Sequence, residues 1–115
     1  AEAADRRRRE ALQDLPFAAL RVGRDGRLLE ANRAALEAFP FLAPGMGVLE
    51  AFGAHRLAQR VEAALAGLAP QRFEVRLFSG GRRTYRAAVS PYEVGDAREA
   101  LVFLTDTSEA VAYQE

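Results

Sequence analysis

The repeat of apolar residues changes period once along this chain, and that change leaves few folds open. From His55 to Leu68 the apolar positions Leu57, Ala58, Val61, Ala64, Leu65 and Leu68 recur at three- and four-residue steps, with Arg56, Gln59, Arg60 and Glu62 between them. This is the period of a helix with one buried face. Gly67 or Ala69-Pro70 closes it. Directly afterwards Phe73, Val75 and Leu77 alternate with Arg72, Glu74 and Arg76, the period of a strand covered on one side. Ser79-Gly80-Gly81 then turns the chain into a second strand, Arg82 to Tyr92, so the helix feeds a hairpin. The fold class is therefore mixed α/β, of the α+β kind.

The flanks extend this reading. Ala1 to Leu15 are good helix formers, with Ala4, Ala11, Leu12 and Leu15 at helical spacing, and Pro16 ends that helix because it lacks an N–H and disfavours α geometry in the residue before it. Phe17–Val22 and Arg27–Ala31 read as strands joined at Asp25-Gly26, residues that tolerate positive φ. Asn32 is a suitable N-cap for a short helix through Ala34, Ala35, Leu36, Ala38 and Phe39, which Pro40 stops. Phe41–Phe52, with Pro44, Gly45 and Gly47, is expected to be irregular with one or two helical turns. After the polar break Gly95-Asp96-Ala97-Arg98, the run Ala100–Leu104 is long enough for a strand covered on both faces. A last helix starts near Asp106.

This order, together with particular residues, resembles a PAS domain. The residues that carry the likeness are Leu15-Pro16, the Asp25-Gly26 turn, Glu30-Ala31-Asn32-Arg33-Ala34-Ala35, Gly47 before Leu49, Tyr85-Arg86-Ala87-Ala88-Val89-Ser90-Pro91, and Leu104-Thr105-Asp106-Thr107-Ser108-Glu109. The likeness runs from about Leu12 to Glu109 and rests on order and spacing more than on any one motif. Ser108 stands where the family usually has threonine, and Pro40-Phe41 where many relatives have glycine. The resemblance implies a five-stranded antiparallel sheet with a helical crossing segment on one face and an N-terminal flanking helix. It implies an amphipathic linker helix over 1–14, the PAS domain over 15–109, and the start of a signalling helix over 110–115. The nearest relatives in kind are the PAS domains that precede the dimerisation helices of bacterial sensor histidine kinases, including those of the phosphate-regulon type. The implied role is that of a regulatory sensor and dimerisation module of a two-component system, itself not an enzyme, in a parent expected to be a sensor histidine kinase.

Function classes narrow on composition. Lysine plus arginine and aspartate plus glutamate balance at 16 each, so no net field favours a nucleic acid. With no cysteine, disulfide, thiolate and cysteine-zinc chemistry are excluded, as is the flavin–cysteine photochemistry of light-sensing relatives. Half the residues are hydrophobic, yet no run is long enough to span a membrane, and a cytoplasmic location is expected. Arg6-Arg7-Arg8-Arg9 is either a patch that meets anionic lipid, placing the chain beside a membrane, or a solvated helix face. His55 is the single histidine; it reads as a surface residue at a helix start rather than a haem ligand, and no cofactor or metal is expected.

Asp106-Thr107-Ser108-Glu109 has the form of a capping box. The resemblance further implies that Asp106 and Ser108 couple the sheet to the exit helix. Asp106 and Tyr85 are the only pair worth weighing for acid–base work, and nothing beside them builds an oxyanion site. Leu12 and Leu15 form the stripe by which the first helix would pack on the sheet or on a second copy in a homodimer. Leu29, Leu36, Phe39, Leu57, Val61, Phe73, Val75, Val89 and Phe103 either fill the core or line an apolar ligand pocket. A small-molecule receptor and a protein-docking module are thus the alternatives to signal relay.

Overall fold

A computed structural model describes residues 14–107. Its strands are β1 (Ala18–Val22), β2 (Leu28–Ala31), β3 (Gln71–Phe78), β4 (Arg82–Val94) and β5 (Ala97–Asp106), and its helices are α1 (Arg33–Ala38), α2 (Val48–Phe52) and α3 (His55–Leu65). The strands form one antiparallel sheet in the order β2-β1-β5-β4-β3. β5 is the central strand, although it is the last in sequence.

Each element follows from local chemistry. At the β1–β2 turn the Asp25 carboxylate accepts the Arg27 N–H at 3.1 Å, and Gly26 takes a φ of 78°, which a side chain would resist. β3 and β4 pair without a slip from Gln71↔Val89 to Phe78↔Arg82. Beyond Val89, β4 has no β3 partner, so Pro91 sits where its missing N–H costs the ladder nothing. The helices lie on one face of the sheet. Leu57, Val61 and Ala64 of α3 meet Leu20, Val22, Phe73, Val75, Leu77, Tyr85, Ala87, Val89, Val102 and Leu104 in a single buried cluster. Two arginines cover Phe73, with the Arg56 and Arg60 guanidiniums 5.6 and 5.4 Å from its ring centre, and Arg60 also donates to Gln71.

Several expectations are corrected. α3 ends at Leu65, and Gly67 adopts a φ of 89°, so Leu68 leaves the helical stripe and is exposed. The polar break is a two-residue hairpin turn with Gly95 at a φ of 61°, as a type II′ turn requires of its first central residue, so β5 begins at Ala97 rather than Ala100. Ala100, Val102 and Leu104 are buried, whereas Leu101 and Phe103 point to the opposite face and are half-buried.

The set read as core or pocket lining also divides. Phe39, Leu57, Val61, Phe73, Val75 and Val89 are buried together. Leu29 is 40% exposed, because the bulge between Arg21 and Val22 sets Leu28, not Leu29, against Val22 and into the core. Leu36 is 43% exposed, because the cap at Asn32 turns Ala35 and Phe39 inward instead. Phe103 lies on the outer face, its ring 5.8 Å from Phe17 and edge-on to it. These three residues do not line the interior.

Candidate functional site

Alternation along β5 places Asp106 on the same side as Leu104 and Val102, directly opposite Tyr85 on β4. The strand runs through Asp106, and the backbone turns helical at Thr107. Two side-chain bonds pin this end of β5 to β4. Arg83 Nη1 donates to Asp106 Oδ2 at 3.1 Å, and Thr107 Oγ1 donates to the Thr84 carbonyl at 3.0 Å. The first is a charge-assisted bond in which Asp106 is largely covered and Arg83 half-exposed. The second ties the first helical residue to β4 backbone. Any sliding of β4 against β5 must therefore break these bonds or carry the chain's exit point with it. Ser108 and Glu109, the remainder of the capping box, lie outside the described residues.

Asn32 is fully buried and acts at the start of β1, which pairs with the Phe103–Leu104 end of β5. Its Oδ1 accepts both the Ala35 N–H of α1 and the Ala19 N–H of β1, each at 2.9 Å, and its Nδ2 donates to the Phe17 carbonyl at 2.9 Å. One amide thus caps the helix and joins it to the first strand. A second polar knot sits on the outer face. Arg21 donates to Glu99 at 2.9 Å and to Glu30 at 3.2 Å, bridging β2, β1 and β5, with all three side chains largely covered. Burial pulls the Arg21 guanidinium down, but the bonds and charges of Glu99 and Glu30 outweigh it and hold the group above its ordinary value.

The sequence profile of the PAS fold matches residues 12–112. The chain belongs to the PAS family. Solved PAS domains share its architecture. That of BvgS from Bordetella pertussis aligns over 97% of this chain and 94% of its own, with a TM-score of 0.70 and 20% identity. That of an HTR-like protein from Haloarcula marismortui aligns over 91% and 93%, with a TM-score of 0.70 and 17% identity. A PAS domain from a two-component sensor histidine kinase aligns over 91% and 97%, with a TM-score of 0.70 and 14% identity. No curated protein matches the sequence. A PAS domain by itself is a sensor module without catalytic activity.

Within this PAS domain the remaining candidates scatter. His55 is exposed at the start of α3. Among the described residues no group of histidine, cysteine, aspartate and glutamate is arranged to hold a metal ion, and no helix is long and apolar enough to cross a membrane. Tyr85 stands opposite Asp106, but its ring is buried 5.4 Å from that of Phe39 while Arg83 engages the carboxylate. Leu15 is half-buried, whereas Leu12 and Arg6, Arg7, Arg8 and Arg9 lie outside the described residues. The reading of Asp106-Thr107 overlooked their anchors on β4, Arg83 for Asp106 and the Thr84 carbonyl for Thr107. Counting outward from the Gly95-Asp96 turn would have found them, since an unbroken two-residue hairpin fixes every partner along both strands.

Proposed function

We propose that this PAS domain relays a signal to a histidine-kinase output in a two-component system, acting as a homodimer through its N-terminal helix and the outer face of its sheet. The observation that carries this reading is the double anchor at the end of β5. A sheet rearrangement is converted there into movement of the following helix, because Asp106 and Thr107 are held by β4 and not by β5 alone. The interior supports relay over an apolar receptor pocket: Phe39, Leu57, Val61, Val75 and Val89 pack on one another as core. No cofactor is needed for this role. The signalling helix beyond Thr107 and the kinase helices after it belong to the proposal, as does a cytoplasmic setting beside a membrane met by Arg6, Arg7, Arg8 and Arg9.

The test is histidine autophosphorylation of the full-length parent protein. Arg83→Ala and Thr107→Val should each shift its basal level by roughly tenfold while leaving the fold intact by circular dichroism. A parent without phosphoacceptor helices, or one whose phosphorylation ignores both substitutions, would sink the relay reading. A compound retained by the purified protein in native mass spectrometry would favour the receptor instead.

A further inference from the structure

β3 is an edge strand, since the sheet order leaves its outer backbone without a strand partner among the described residues. Two features converge on that edge. Phe78, at its end, is 67% exposed and lines an open groove of about 180 Å³ with Phe41, Ala51 and Phe52; Phe41 is itself 47% exposed. Solvent-facing side chains along β3 and the neighbouring β4 are mostly arginine: Arg72, Arg76, Arg82 and Arg86, with Glu74 set opposite Arg86. Among the described residues none of these arginines has an ion-pair partner. In a chain whose charges cancel, this edge is a local cationic excess.

Arginines commonly guard edge strands against aggregation, and that role alone would not need an apolar groove at the strand's end. An exposed aromatic groove beside unneutralised guanidinium groups is the composition of an interaction hot spot. We propose that the β3 edge docks an extended acidic segment of a partner protein. The segment adds to β3 by main-chain hydrogen bonds, its carboxylates meet Arg72, Arg76 and Arg82, and one apolar side chain enters the Phe41–Phe52–Phe78 groove. The groove favours a polypeptide over a lipid surface, because a concave aromatic slot takes a single side chain whereas membrane insertion needs a protruding ridge.

The probe is a fluorescein-labelled peptide that alternates glutamate with valine and ends in phenylalanine, titrated by anisotropy against the 115-residue chain. Saturable binding is expected, weakened about tenfold by the pair Arg76→Glu and Arg82→Glu and by a similar factor by Phe78→Ser. All three positions are exposed, so these variants should keep the native circular dichroism spectrum. Hydrogen exchange should show the peptide protecting amides of Gln71–Phe78. The proposal is overturned if the glutamate peptide does not bind, if its lysine counterpart binds equally well, or if the arginine variants bind like the parent. It is equally overturned if the chain binds phosphatidylserine vesicles through these arginines and ignores the peptide.

Discussion

Asn32 illustrates how much one side chain can hold. Both ends of its amide are used, on backbone groups of Phe17 and Ala19 at the start of β1 and of Ala35 in α1. Asn32→Ala leaves the Ala19 and Ala35 N–H groups and the Phe17 carbonyl without this partner in a buried place, and should lower unfolding free energy by about 3 kcal/mol in urea titration. Asn32→Asp should not rescue it: the carboxylate still accepts, but it cannot donate to Phe17 and it buries a charge. The sequence marked Asn32 as a cap; its bonds to β1 became visible only when strand and helix were set side by side. Arg21 carries a different risk. Arg21→Met leaves Glu30 and Glu99 covered and close together without their shared cation, with an expected loss of about 2–3 kcal/mol by the same titration.

At the scale of elements, the β4–β5 hairpin is clasped to the end of α3. A Cβ on Gly67 would lie 2.6 Å from Arg98 Nη1, in a backbone conformation that side chains rarely adopt, while Arg98 Nη2 reaches back to Glu93 at 3.0 Å. Gly67→Ala should therefore lower the free energy of unfolding by about 1–2 kcal/mol, read as a drop in the thermal midpoint, part from backbone strain and part from the displaced guanidinium. Adding Arg98→Ala should recover only the second part, which a double-mutant cycle separates. Periodicity made α3 and the β3–β4 hairpin readable, because each buries one face and repeats accordingly. The start of β5 was misplaced because Gly95, Asp96 and Arg98 are polar whether they form a loop or a tight turn; pairing with β4 decides between these.

For the whole molecule, the outer sheet face is divided. The half-buried Phe17, Leu101, Phe103 and Ala88 form an apolar stripe between the Arg21–Glu30–Glu99 knot and the arginines of β3 and β4. Such a stripe accords with the proposed dimer, since burying apolar area at about 25 cal/mol per Å² drives association. Phe103→Asp should convert a dimer to a monomer in sedimentation equilibrium while the thermal midpoint measured on the monomer moves little, because the ring lies outside the main core. A dimer that survives Phe103→Asp would place the contact elsewhere.

Local spacing alone determined the class of fold, the positions of α1 and α3, the two sharp turns at Asp25-Gly26 and Ser79-Gly80-Gly81, and the family resemblance, since backbone preference and one-sided burial leave their marks within a few residues. What it could not determine is which face each side chain takes once a strand is central. Leu29 and Phe103 are as apolar as Leu28 and Val102, yet a bulge and a register set them on the other side. The junction that ends β5 belongs to the same category. Asp106 and Thr107 meet Arg83 and Thr84 because a two-residue turn folds β5 back along β4, a register that can be counted only once pairing shows Gly95-Asp96 to be a tight turn rather than a loop.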